Sequence, residues 1–309
     1  MKPIVTLTAN PTLDGTCEAE VVRPIHKIRT TNETFAPGGG GINVARVIRD
    51  LGGDAHALHL CGGPTGAALI EMVAALGIAQ TPVRIAGDTR IAQVVYERST
   101  GLEYRFVPEG PTVTEAEWQA LLAALGTLDF DWLVLSGSLP RGMPPDFYAR
   151  AASIARARGA KIALDTSGAP LKLALEAGGI DLAKPSRGEF EALVGRPLPD
   201  RLALESAALE FVRAGKVNLL AVTLGADGAL LASVEGALFL ASPPVVAKST
   251  VGAGDSFVGA MVLALARGWT IADAFAYAVA AGTAAVLRHG AHLCDPDDVA
   301  KLHAVLRGV

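Results

Sequence analysis

Short, continuous apolar runs recur along the chain, at Ile4 to Thr8, Ala55 to Leu60, Trp132 to Leu135, Lys161 to Leu164, Leu182 to Lys184 and Leu219 to Thr223. Strands covered by helices on both faces read this way, because neither side of the strand meets water. Between them lie segments with helical spacing, clearest over Ile42 to Leu51, Glu115 to Leu125, Asp146 to Arg158 and Leu204 to Ala214. Several open after Thr or Pro and close near Gly, as helices do. The alternation predicts an α/β fold, a central and mostly parallel sheet flanked by helices. Two stretches break the rhythm: Cys17 to Phe35, and Ile91 to Val107, where Val95, Tyr96, Tyr104 and Phe106 mark strand-like alternation. They predict hairpin-like strands that pair as a small separate sheet. The simplest use of such a sheet is a lid, drawn from about residues 15–36 and 90–108 and inserted into a single domain over 1–309.

Composition narrows the possibilities. Of 309 residues, 50% are hydrophobic, enough for a large core without disulfide or metal staples. The formal net charge of -4 gives no basic field that would draw a nucleic acid, so an anionic ligand has to be caught by local geometry. Cys17, Cys61 and Cys294 lie far apart and form no CxxC pair, which argues against a zinc cluster or a disulfide framework and fits a reducing cytoplasm. Met1 and Lys2 lead straight into a strand, so no secretory signal is expected. The apolar segments Phe257 to Ala266 and Ile271 to Leu287 are broken by Arg267 and Asp273 and read as buried helices, not as membrane spans.

Chemistry enters at Ser249-Thr250-Val251-Gly252-Ala253-Gly254-Asp255-Ser256, a glycine-rich turn that opens onto a helical pattern. Small residues let backbone amides converge on an anion at the positive end of a helix dipole. A transferring phosphoryl group would be held by Gly252, Ala253 and Gly254, with Asp255 in the first turn to accept a hydroxyl proton. The plainer alternative is a tight turn in which Asp255 only caps the helix. The GxxxxGK[ST] run is missing, and neither glycine cluster has G-x-G-x-x-G spacing, which excludes P-loop ATPases and dinucleotide dehydrogenases. A second cluster, Pro37-Gly38-Gly39-Gly40-Gly41-Ile42-Asn43, also runs into a helix. Four consecutive glycines are costly to order, so close ligand approach or a hinge is expected there, with Asn43 and Asp14 bonding sugar hydroxyls.

Taken together, GGGGINVA, Ser136-Gly137-Ser138-Leu139-Pro140, Asp165-Thr166-Ser167-Gly168, Lys184-Pro185 and TVGAGDS resemble the ribokinase or PfkB carbohydrate kinases over essentially the whole chain. The segment Ala9 to Asp14 and the Leu293-Cys294 ending look like the sugar-phosphate branch, of the 6-phosphofructokinase type. The resemblance implies a ribokinase-like core with a β-sheet lid that doubles as a homodimer interface. It implies ATP and a sugar phosphate as partners, magnesium as cofactor, and Asp255 as the base. Position by position, Asp14, Gly38, Gly39 and Asn43 would hold sugar hydroxyls. Lys27, Arg90, Arg105 and Ser138 would hold the phosphate already on the substrate, with Arg29 as a helper. Lys184, Ser186, Thr223, Gly225, Gly228 and Thr250 would meet the nucleotide, with adenine near Val246, Val251 and Ala280 to Ala284. Thr223 to Gly228 could equally be an ordinary hairpin turn.

Three departures from the family pattern stand out. Lys184-Pro185-Ser186-Arg187-Gly188-Glu189 replaces Lys-Pro-Asn-x-x-Glu, which leaves Glu189 to order magnesium-bound water beside a shorter Ser186. Arg288 and His292 replace Asn and Arg near a monovalent-cation site at Ser249, Val251 and Gly290, where the resemblance implies potassium. Two readings of Arg288 follow: a guanidinium standing in for that ion, or a side chain in solvent. The rival functions are a sister kinase acting on fructose 1-phosphate or tagatose 6-phosphate, and a catalytically silent nucleotide-binding regulator.

Overall fold

The apolar runs become the strands of one large sheet in the computed structural model, which describes residues 2–288 and 293–308. In chain order the strands are β1 (Ile4–Thr8), β2 (Thr12–Ala19), β3 (Thr30–Gly38), β4 (Ala55–Cys61), β5 (Ala79–Arg84), β6 (Arg90–Glu97), β7 (Leu102–Phe106), β8 (Trp132–Ser136), β9 (Lys161–Asp165), β10 (Leu182–Ala183), β11 (Leu219–Thr223), β12 (Ala229–Ser233) and β13 (Gly236–Leu240). The helices are α1 (Gly40–Asp50), α2 (Gly63–Ala75), α3 (Glu115–Thr127), α4 (Phe147–Ala157), α5 (Gly168–Ala177), α6 (Arg187–Val194), α7 (Arg201–Arg213), α8 (Ala253–Ala266), α9 (Ile271–Ala285) and α10 (Pro296–Arg307).

The large sheet runs β13-β12-β11-β10-β9-β8-β1-β4-β5, parallel from β11 to β5 and antiparallel only through β12 and β13. Alternate side chains divide between two cores, as the twofold strand period requires. Val5, Leu7, Leu133 and Leu135 pack with Phe147 and Tyr148 of α4 on one face. Ile4 and Val134 pack with α1, α8 and α9 on the other, where Phe257 meets Phe275 edge to face at 6.2 Å. Buried helices α8 and α9 account for the most apolar segments of the sequence, and among the described residues no helix is long and apolar enough to cross a membrane.

The two irregular stretches pair as expected into a second sheet, ordered β3-β2-β6-β7, with β2 parallel to β6 and antiparallel pairs outside. β2 continues from β1 through Asn10 and Pro11, so one chain direction carries residues from the large sheet into the small one. Register sets the two faces. Phe35, Gly15, Gln93 and Phe106 lie in one row, with Ile91 two positions along, whereas Asp14, Arg90 and Arg105 fall on the opposite face. The buried carboxylate of Glu97 accepts from Val22 N, Ser99 Oγ, Thr100 Oγ1 and Tyr104 OH at 2.8–3.1 Å, which ties the β6–β7 turn to the loop after β2.

Candidate active site

The glycine-rich turn does open a helix. Gly252, the residue before α8, sits at φ 75°, a left-handed conformation that an L side chain adopts at a cost. The first intrahelical bond runs from Ser256 N to Gly252 O at 2.8 Å, and the amides of Ala253, Gly254 and Asp255 have no acceptor among the described residues. They stand at the positive end of a 14-residue helix, where an anion would be favoured. Asp255 hangs beside them, half-buried, its Oδ2 accepting from Asn43 Nδ2 of α1 at 2.9 Å. Burial first, and the charge of Asp165 second, push its carboxyl up to about 7, against the Asn43 bond and Lys184. Lys184 is buried and pairs with Asp165, Nζ to Oδ1 at 3.1 Å. Burial works against its charge, but Asp165, Glu189 and Asp255 outweigh that and hold it above the usual lysine range. A side chain at Gly254 would press on Lys184 Nζ, so glycine there lets the cation approach the amides.

Asp14 faces the same space from β2. Burial raises its carboxyl to about 6, and Arg46, Arg90 and Arg105 oppose the rise. Arg90 is anchored at the root of the small sheet: Nη1 donates to Pro108 O at 2.8 Å and Nη2 to Asn10 O at 2.9 Å, while Nε is buried without a partner. Ser138 is exposed to the cleft and accepts from Asn10 Nδ2 at 3.3 Å. Asn10, which sequence reasoning left without a role, also donates to Glu109 O at 2.9 Å. Arg105 is exposed on β7. Lys27 and Arg29 are exposed on the loop between β2 and β3. The four glycines are also required by packing within the chain. A side chain on Gly38 would strike Asp14, one on Gly39 or Gly41 would strike Thr8, and one on Gly40 would strike Ser136, so close packing against the chain itself demands them.

The nucleotide-side residues surround a cavity of ≈ 460 Å³. Ser186, Thr223, Gly225, Gly228, Thr250 and Gly254 line it, so the Gly225–Asp227 turn is both a true hairpin connection between β11 and β12 and part of the wall. The apolar wall comes largely from the segments expected near adenine, although Val246 and Val251 themselves stand outside it. Val245, Ala247, Val279 and Thr283 line the cavity, whereas Val246 is 84% exposed and Val251 is not in the wall.

Glu189 and Ser186 form a capping box at α6, with Glu189 Oε2 accepting from Ser186 N at 2.7 Å and from Ser186 Oγ at 2.8 Å. Glu189 Oε1 is left unengaged among the described residues. Those residues contain no cluster of three His, Cys, Asp or Glu that could hold a metal ion. Arg288 is exposed, in keeping with the reading of a side chain in solvent. Its Nη2 pairs with Asp295 at 3.0 Å and Asp298 at 3.3 Å beside the start of α10, so these carboxylates balance its charge. Ser249 Oγ donates to Glu103 Oε2 at 3.0 Å and accepts from Val251 N at 3.3 Å. Gly290 and His292 lie outside the described residues.

Sequence reasoning missed Arg46. It lies one turn after Asn43 on a helix that buries Ile42, Asn43, Val44, Ala45, Val47 and Ile48, and an arginine among so many buried positions was the available signal.

These features coincide with known proteins. The model for "pfkB family carbohydrate kinase" matches residues 10–298, and the chain belongs to that family. It is 40% identical over 307 residues to the ATP-dependent 6-phosphofructokinase isozyme 2 of Escherichia coli (strain K12), with 99% of each chain covered. It is 35% identical over 266 residues to a 1-phosphofructokinase of Xanthomonas campestris, covering 84% of this chain and 83% of the other. Crystal structures of Escherichia coli phosphofructokinase-2 superpose closely, one in complex with fructose-6-phosphate (TM-score 0.94, 39% identity, 99% and 100% of the chains) and one with potassium (0.96, 40%, 99% and 100%). A Thermotoga maritima ribokinase, 23% identical with a TM-score of 0.78 over 98% and 99% of the chains, shares the ribokinase-like fold.

Proposed function

We propose that the chain transfers the γ-phosphoryl group of ATP to the 1-hydroxyl of fructose 6-phosphate, giving fructose 1,6-bisphosphate and ADP. The observation that carries this is the set of three unpaired amides beside Asp255, with Asp14 near enough to act on that carboxyl and itself within the influence of Arg90 and Arg105. The carboxylate of Asp255 takes the hydroxyl proton, and the freed oxygen attacks the γ-phosphorus. The bond from that phosphorus to the β–γ bridging oxygen breaks, and the electron pair leaves with ADP. Ala253, Gly254 and Asp255 amides and Lys184 stabilise the charge on the migrating group. Asp14, Gly38, Gly39 and Asn43 orient the sugar. Arg90, Arg105 and Ser138 receive the 6-phosphate, and Lys27 is the remaining cation available to it.

Glu189, through its free oxygen, would hold magnesium by way of water, and that ion would neutralise nucleotide phosphate charge. Ser249, Val251 and Gly290 stay as the candidate potassium site, supported by the likeness to the potassium-bound relative. The cations lie on the inward face of the small sheet, so that sheet acts as a lid on the single domain. Its apolar outer face supports pairing with a second copy. Three buried free cysteines fit a reducing cytoplasm.

A panel of phosphorylated sugars in an ADP-coupled assay tests this reading. Highest kcat/KM is expected on fructose 6-phosphate. Preference for fructose 1-phosphate or tagatose 6-phosphate would move the chain to a sister activity, and ATP binding without turnover would make it a regulator.

A further inference from the structure

Arg46 has no task in the reaction laid out above, yet it sits between the two carboxylates of the site. Its Nη1 donates to Pro37 O at 2.9 Å and to Asn43 Oδ1 at 3.2 Å. Asn43 Nδ2 in turn donates to Asp255 Oδ2 at 2.9 Å. Burial opposes its charge most, Asp50 and then Asp14 favour it, Arg49 opposes it, and Asp255 adds a smaller attraction.

The chemistry of the three groups permits one direction only. A guanidinium donates and never accepts, an ionised carboxylate accepts and never donates, and a primary amide has one end of each kind. Arg46 takes the amide oxygen, so Asp255 receives the amide nitrogen. Without Arg46 the amide is oriented from the Asp255 side alone, and a flipped amide, which sets oxygen against oxygen at the base, is opposed by one partner where there were two. Pro37 belongs to β3, so the guanidinium is itself located by the small sheet.

We propose that Arg46 is a positioning residue that fixes the Asn43 amide so that its nitrogen occupies Oδ2 of Asp255, leaving Oδ1 as the oxygen that accepts the proton of the acceptor hydroxyl. This deepens the kinase reading of the same site and rests on it. The bond from Asn43 persists through the step, because a carboxylic acid protonated on Oδ1 still accepts at Oδ2. The groups facing Asp255 are Asn43 and Arg46 from α1, Asp14 from β2, Asp165 from the end of β9 and Lys184 after β10, with Glu189 of α6 behind Lys184. Asp165 and Asp14 favour a protonated base, and Asn43, Lys184 and Arg46 favour an ionised one. Removing Arg46 takes away a nearby cation and releases the amide, and both changes make the base hold its proton to higher pH.

The test is kcat against pH for Arg46→Met and Arg46→Lys, each checked for folding by thermal melting. Wild-type turnover and its loss in Asp255→Asn, measured alongside, test the underlying reading separately. Arg46→Met is expected to move the acidic limb of kcat upward by roughly half a pH unit or more, with the KM for ATP within about twofold of wild type. Arg46→Lys keeps the charge but cannot serve Pro37 O and Asn43 Oδ1 together, and a smaller upward move is expected. An acidic limb left at its wild-type position in a folded variant overturns the proposal. So does a fall in kcat at every pH without displacement of the limb, which would mark Arg46 as holding the fold alone. If Arg46→Met does not fold, the limb of Arg46→Lys decides.

Discussion

Asp255 carries two consequences of one environment. Because burial lifts its carboxyl to about 7, the ionised base is lost as pH falls through that value, and kcat is expected to drop on the acid side of neutrality. Asp255→Asn removes the proton acceptor, so a loss of about 10²-fold or more in kcat is expected while ATP affinity is kept; wild-type turnover in that variant would remove Asp255 from the mechanism. The same carboxylate opposes folding when ionised. Its folded value lies above the ordinary 3.8, so the folded state favours the neutral acid. Stability is therefore withdrawn as pH rises from about 4 to 7 and stays withdrawn above it. The Asn variant is expected to melt at a higher temperature than wild type at pH 8, with the difference fading towards pH 4, as calorimetry would show. The sequence made Asp255, Asn43 and Asp14 legible because motif and spacing mark them. Arg46 and Asn10 were not legible as partners. Their roles depend on contacts with Asp255 through Asn43 and with Glu109 and Ser138, across sequence distances that no local pattern records.

The elements were most legible where burial was two-sided. Every continuous apolar run became a strand of the large sheet, but β5 and β13 at its two edges were not identified, since half-exposed strands lack the uninterrupted apolar signal. The two segments of the small sheet were visible through their alternation, whereas the parallel pairing of β2 with β6 that joins them was not, because it depends on how the chain leaves and re-enters the large sheet. One contact links that sheet to the phosphate end of the site. Glu103 of β7 accepts from Ser249 Oγ at 3.0 Å across 146 residues, just before the turn that opens α8. Breaking it frees a sugar-side strand and a nucleotide-side segment together. Glu103→Ala is expected to raise KM for both substrates severalfold with kcat within about twofold. Arg90→Ala and Arg105→Ala are expected to raise KM for the sugar phosphate alone. Initial rates over a two-substrate grid separate the cases, and an unchanged KM for ATP in Glu103→Ala would show that the contact transmits nothing.

For the whole molecule, the decisive feature is the difference between the two faces of the small sheet. The inward face holds Asp14, Arg90 and Arg105, while Phe35, Ile91 and Phe106 stand 43–57% exposed on the other. Ile25, Leu102 and Val107 add further apolar area nearby. A contiguous patch of this kind on a monomer invites a partner, and a second copy offers the same row of side chains, as an isologous interface requires. The expected outcome is a dimer in sedimentation velocity at micromolar concentration. Phe106→Asp places a carboxylate at the β7 end of that row, where pairing would desolvate an unpaired charge, and that variant is expected to sediment as a monomer. Because Phe106 points away from Asp14 and Arg105, direct damage to the substrate face is not expected, and any fall in activity should reverse when protein concentration is raised enough to restore pairing. A wild-type protein that sediments as a monomer, or a Phe106→Asp variant that pairs as wild type does, would leave this face without its proposed occupant.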